Sequence, residues 1–265
     1  MRAPAAAYNQ VVRFAFLLVL VLVPDDRAVK FFDRIKFEKP ASREDEARRV
    51  SEVLLKKDHW LGAFRTLEEK YGKFPDDLEL TVDFTHDGDA VGVARSLDSK
   101  GQISFNLKRL IEGQKRLDEL DRMKQDARER GQRLIVKVPP LKFDRIIYHE
   151  MTHILQRSYE APSWFLEGMA ELVGEDENTI YALAASGRRV KDIDDPVAER
   201  IDTYGRGHLF WKWLHERGWA KKAIDLSIVQ RRPWKEALEE ATKIPWTVMV
   251  ASERDWSLRE VESRR

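Results

Sequence analysis

Two histidines four residues apart, set in an apolar stretch with helical periodicity, restrict this chain more than any other feature. They lie in Tyr148-His149-Glu150-Met151-Thr152-His153-Ile154-Leu155-Gln156, and Phe143–Tyr148 leads into them with apolar residues at helical intervals. At i and i+4 the two side chains project from one helix face, one turn apart, so both imidazoles can reach a single ion. Glu150 follows the first histidine and points beside such an ion rather than at it. There it can take a proton from water that a metal has acidified toward neutrality. The chain has no cysteine, so thiol catalysis and disulfides are excluded, and any metal is held by histidines and carboxylates.

A catalytic zinc needs a third protein ligand and an open position. The segment Ala161–Gly174 offers one. Ser163 after Pro162 reads as an N-cap and Gly174 as the stop, which gives a helix of about three turns. Inside it Glu167 and Glu171 stand at i and i+4 among apolar neighbours, fourteen and eighteen residues past His153. Two carboxylates on an otherwise buried face need a partner to offset their desolvation. With the histidines nearby, Glu167 reads as the third ligand and Glu171 as a second carboxylate that supports a ligand imidazole from behind. Gly168, a poor helix former, allows a close approach by another helix or by a substrate backbone. The plain alternative is an amphipathic helix whose glutamates face water.

These residues resemble a known family. HExxH, a short gap, then Trp164-x-x-Glu167-Gly168-x-Ala170-Glu171 is similar to the gluzincin metallopeptidases, the thermolysin and aminopeptidase-N superfamily, and in particular to its small peptidase-MA-like domains. The resemblance runs from about residue 28 to about residue 258, and its specific part is the zinc motif. It includes Ile201–Leu214, similar to the tyrosine-containing helix that follows the ligand helix, and Gly218-Trp219 with Ala237–Thr242, similar to the closing helical bundle. It implies a zinc ion held by His149, His153 and Glu167, with Glu150 as general base and Glu171 behind a ligand histidine. Tyr204 or His208 would stabilise the oxyanion, with the two left as alternatives. Arg206 is a candidate for a substrate carboxylate or carbonyl, against the plain reading of a surface arginine. His59, His86 and His215 read as structural or surface residues. In one respect the chain departs from the aminopeptidase-N pattern. The Gly-x-Met-Glu-Asn loop that captures a substrate's amino terminus is absent, which favours an endopeptidase.

The rest of the chain frames that site. Ala28–Phe37 reads as a strand closed by Pro40, Ser42 as an N-cap for a helix reaching Lys57, and Leu61–Tyr71 as a second helix. Leu78–Phe84 alternates at period two, as a half-buried strand does. Ala90–Arg95 and Gln102–Leu107 form a hairpin, and Gln102–Leu107 is placed at a sheet edge, where the resemblance puts the strand that holds extended substrate. Lys108–Arg133 is a charged helix, either solvated or partner-binding, and Pro139-Pro140 punctuate the entry to the motif.

With 265 residues and 43% hydrophobic content the chain can bury a real core. The expected fold is α+β and zincin-like. A small mixed sheet with its helices forms an N-terminal lobe, a mainly helical C-terminal lobe follows, and the zinc site lies in the cleft between them. Lys+Arg 47 against Asp+Glu 46 gives a charge of +1, which argues against a nucleic-acid partner and leaves a peptide or protein as the substrate. Residues 1–27 read as a signal-like or anchoring segment and 28–265 as the metallopeptidase domain. The apolar run 14–23 suits a secretory h-region, cleaved or kept as a short membrane tether, so export is the expected location. A buried strand is the alternative reading of that run.

The expected activity is hydrolysis of peptide bonds by a zinc-activated water. Its rivals are a peptidase-like module that binds zinc with little or no proteolysis, serving binding or assembly, and a helical protein that carries the motif by coincidence.

Overall fold

Strand pairing follows from where the apolar residues fall. The computed structural model describes residues 26–40, 44–132, 142–175, 177–193 and 200–265; the apolar run 14–23, Ser42 and Pro139-Pro140 lie outside them. Four short strands form one mixed sheet. These are β1 (Ile35–Phe37), β2 (Glu79–Asp83), β3 (Gly92–Leu97) and β4 (Lys100–Phe105), in the order β1-β2-β4-β3. β1 runs parallel to β2 and β2 to β4, while β3 and β4 form an antiparallel hairpin. Val82 and Ile103, paired across β2 and β4, are fully buried.

Helices make up most of the remainder. α1 (Asp26–Asp33), α2 (Asp45–Leu54) and α3 (Lys57–Lys70) accompany the first strands. α4 (Leu107–Glu129) follows the hairpin, started by Asn106, whose side chain accepts from the Arg109 N–H. Leu110 is its one buried residue and acidic and basic side chains alternate along it, as in a solvated helix. Then come α5 (Phe143–Gln156), α6 (Ser163–Gly174), α7 (Asn178–Ala185), α8 (Arg200–Glu216), α9 (Ala220–Ile224) with a π-helical turn over Asp225–Val229, α10 (Trp234–Thr242) and α11 (Trp246–Glu262). The fold is therefore α+β with a small mixed sheet. One apolar core runs from Phe31 on α1 through Ile147 on α5 and Phe165 on α6 to Met249 on α11. No described helix is long and apolar enough to cross a membrane.

Three expectations need correction. Ala28–Phe37 is mostly helix, with only Ile35–Phe37 extended; Ala28, Phe31 and the partly buried Phe32 pack on the core, a spacing of three and four that fits a helix better than a strand. Gln102–Leu107 is not an edge segment, since β4 is flanked by β2 and β3, and the edge strands are β1 and β3. α6 starts one residue earlier than expected, with Pro162 in the cap position and Ser163 inside the helix. It ends one residue later than expected, where Glu175 rather than Gly174 adopts the left-handed conformation.

α6 and α8 meet backbone to backbone. A Cβ on Gly168 would lie 2.2 Å from the Gly207 carbonyl carbon, and one on Gly207 would lie 2.1 Å from the Trp164 carbonyl oxygen. Only glycine fits at either position, so the close approach expected of Gly168 is made by another helix. This contact brings α8, with Tyr204 and His208, up behind the carboxylates of α6.

Candidate metal centre

α5 and α6 place the expected ligands together. His149 and His153, one turn apart on α5, present their Nε2 atoms 3.2 Å from each other. Glu167 on α6 brings Oε2 to 3.4 Å from His149 Nε2 and 3.2 Å from His153 Nε2. Among the described residues these three alone form a cluster of histidines and carboxylates able to hold a metal ion. Ligand atoms about 2.0–2.1 Å from a tetrahedral ion stand about 3.3–3.4 Å apart. The triangle therefore has the size of one face of a tetrahedral coordination sphere. Glu167 Oε2 is buried and makes no aligned hydrogen bond, though two ring nitrogens flank it. A buried carboxylate oxygen of that kind calls for a cation, and two nitrogen donors with one oxygen donor suit zinc among other divalent ions.

The surrounding residues fix the rings. His153 Nδ1 lies 2.7 Å from Gln156 Oε1, and the Gln156 amide in turn donates to the Leu166 carbonyl at 2.9 Å. With an amide oxygen as neighbour Nδ1 carries the proton, which turns the Nε2 lone pair toward the triangle. His149 Nδ1 faces Glu171 Oε1 at 3.7 Å. Glu171 continues to Thr179, whose hydroxyl donates to it at 3.5 Å and stands 3.3 Å from His208 Nδ1.

Three carboxylates thus surround the two imidazoles, and their effect on protonation is marked. Burial alone would lower the His149 pKa, but the Glu167 contact and the charges of Glu171 and Glu150 outweigh it and push the pKa up to about 9. Burial would raise Glu167, yet the two histidines hold its carboxyl far below the usual carboxylate range. Without a metal, a proton on His149 occupies the place that a cation would take.

Glu150 is buried against the sheet. Burial raises its pKa, opposed by His149 and His153. A Cβ on Gly92 would come within 2.6 Å of its Oε1, so any larger residue on β3 would push this carboxylate from its place. Tyr204 on α8 sets its ring parallel to His149, with centroids 6.3 Å apart, and is only half-buried. His208 is 2% exposed, and its ring nitrogen faces Thr179 rather than the triangle; burial brings its pKa down to about 3, so it is neutral.

Arg206 is not positioned for substrate. It is fully buried and forks onto Glu253 with two hydrogen bonds of 2.6 Å, while its Nε donates to the Lys191 carbonyl at 2.7 Å. His86, read as structural, stands close enough to Glu150 for its charge to act on that carboxyl.

Sequence reasoning passed over Gln156, Thr179 and Gly92. Gln156 stands at i+3 from His153 on the same helix face, which was a usable signal. Nothing local marks the other two. Comparison with protein-family models, curated proteins and solved structures found no match.

Proposed function

We propose that this chain is a zinc-dependent metallopeptidase of the gluzincin type that cuts peptide bonds within a chain. The observation that carries the reading is the His149–His153–Glu167 triangle, with sides of 3.2–3.4 Å around a carboxylate oxygen that lacks an aligned hydrogen bond. Zinc held there would supply Lewis acidity toward a carbonyl oxygen and lower the pKa of water.

The protein groups divide the remaining work. Glu150, adjacent to His149 and with its pKa raised by burial, takes the proton from the attacking water and returns it to the leaving amine. Gln156 and Glu171 hold the two imidazoles with Nε2 forward. Tyr204 is the better placed of the two oxyanion candidates, because its half-buried ring faces His149 whereas His208 is packed against Thr179. The outer edge of β3, which passes over Glu150, is where an extended peptide would pair.

One observation favours the second reading, a metal-binding module with little proteolysis: Glu150 is 4% exposed and lies directly beneath Gly92. A single experiment separates the two. Zinc-loaded protein and Glu150→Gln are incubated with a mixed peptide library, and the products are mapped by mass spectrometry. The peptidase reading expects internal cuts that a chelator abolishes, with the rate falling about 10²–10⁴-fold in the variant. Equal cleavage by the two proteins, or none by either, would remove it.

A further inference from the structure

The apparatus on α5 extends one turn past His153. The helix ends at Arg157, whose backbone stands at φ 49°, and Arg231, after the π-helical turn, stands at φ 59°. Both conformations are ones that glycine adopts freely and that cost any larger residue free energy, and such strain persists where the side chain has a task. Both arginines line one cavity of about 510 Å³, together with Tyr159, Arg232, Trp234 and, from the β3–β4 turn, Asp98.

The charges in this cavity are incompletely matched. Arg232 is committed to Glu240. Arg231 donates one hydrogen bond, 2.9 Å to the Gln156 carbonyl, and neither it nor Arg157 has an ion pair among the described residues. Partial burial and then the charge of Arg157 hold the Arg231 pKa below its ordinary value. Asp98 and Glu160 also line the cavity, so with Arg232 neutralised by Glu240 two arginines and two acids remain, none of them in an ion pair among the described residues. Two like charges held near each other on strained backbone would be relieved by an anion, and a guanidinium fork matches a carboxylate with two parallel hydrogen bonds.

Gln156 joins this cavity to the metal centre. Its side chain accepts from His153, and its carbonyl accepts from Arg231. β3 runs alongside, from Gly92 over Glu150 to Leu97, and the chain turns at Asp98 on the cavity rim.

We propose that this cavity is a subsite for a carboxylate side chain of the peptide substrate, gripped by Arg157 and Arg231. Its place in the reaction rests on the metallopeptidase reading, but the binding of an acidic peptide does not. From Glu150 to Arg157 the helix rises about 10 Å, which an extended peptide covers in about three residues. Adding the reach of the arginine side chains puts the acidic residue roughly three to five positions from the bond cut.

Two measurements test the proposal separately from the peptidase reading. In the first, fluorescein-labelled pentaglutamate is titrated by fluorescence anisotropy into zinc-loaded Glu150→Gln protein with and without Arg157→Gly and Arg231→Gly, with pentaserine and inorganic phosphate as comparison probes. Glycine removes the charge and eases the backbone at both positions, so the Tm should hold, and Arg157→Lys with Arg231→Lys, which keeps the charge but loses the fork, should weaken binding less than the glycine pair does. The expected result is salt-sensitive binding of pentaglutamate that weakens at least tenfold in the double glycine variant, with pentaserine and phosphate far weaker. No binding, or equal affinity in the double variant, would overturn the subsite. In the second, the cleavage map of the parent should show Asp or Glu enriched at one position three to five residues from the cut, and the ratio of acidic to neutral substrates should fall in the double variant. Cleavage without that enrichment overturns the subsite as well. If nothing is cleaved, the peptidase reading falls and the anisotropy result still decides the subsite.

Discussion

Two clusters of buried charge join helices in this molecule, and they are finished differently. Arg206 and Glu253 tie α8 to α11 with both side chains inaccessible, and nearly every polar atom is matched through a bidentate fork, the Lys191 carbonyl and Ser257. His149, His153 and Glu167 tie α5 to α6, yet three potential ligand atoms confront each other 3.2–3.4 Å apart and one carboxylate oxygen has no aligned hydrogen bond. The first cluster is complete with protein atoms alone, as a structural ion pair must be. The second is the arrangement that the proposed metal ion would complete. The contrast separates a charge that holds helices in place from charges arranged around something the chain itself does not provide.

The largest effect that would sharpen this contrast comes from breaking the complete pair. Glu253→Ala leaves Arg206 buried without a counter-charge and should cost about 3–5 kcal/mol, seen as a Tm lowered by about 10 °C in a chain of this size. Metal bound per folded molecule should not change. Glu167→Gln should do the reverse, costing the metal-free fold far less while weakening metal binding on the order of a hundredfold. If Glu167→Gln proves the more destabilising to the metal-free protein, the two clusters are alike and the distinction fails.

A smaller effect is expected behind the ligands. Glu171→Gln keeps the shape of the side chain but removes the charge facing His149, and should weaken metal binding about 10–100-fold, measured by competition with a chelator. An unchanged affinity would reduce Glu171 to packing.

Smallest and most gradual is the dependence on pH. The His149 pKa is raised above its ordinary value to about 9, so in the metal-free protein the proton shared with the Glu167 contact stabilises the fold fully below about pH 6.5. That contribution is lost as pH rises through about 9. Metal must displace the same proton, so affinity should rise about tenfold per pH unit between 7 and 9 and level off above. The Tm of metal-free protein, followed over that range, should decline modestly while the metal affinity climbs. A flat affinity profile would show that His149 carries no proton to displace.

Much of the candidate centre was legible because its signals are local. The i, i+4 spacing of His149 with His153, and of Glu167 with Glu171, fixes faces on two helices, and a short link between them leaves few ways for those faces to meet. The helices that carry them, α4 and strand β2 were readable from periodicity for the same reason. What was missed depended on relations between distant segments. Strand order decides that β3 and not β4 is an edge, and neither segment's own pattern encodes it. The burial of Arg206 depends on Glu253, forty-seven residues away. α1 was misread because Val29, Phe31 and Phe32 suit a strand locally, while the spacing of Ala28, Phe31 and Phe32 carried the helical signal.

The central claim is that His149, His153 and Glu167 form a metal centre that lacks only its ion. The most direct measurement is metal analysis of the purified chain after zinc loading and desalting, with X-ray absorption to identify the ligands and His153→Ala beside it. The account expects one zinc per chain, bound by two imidazoles and an oxygen ligand at about 2.0–2.1 Å, and its loss from the variant. Well under one zinc in the parent, or the same zinc content in His153→Ala, would contradict it.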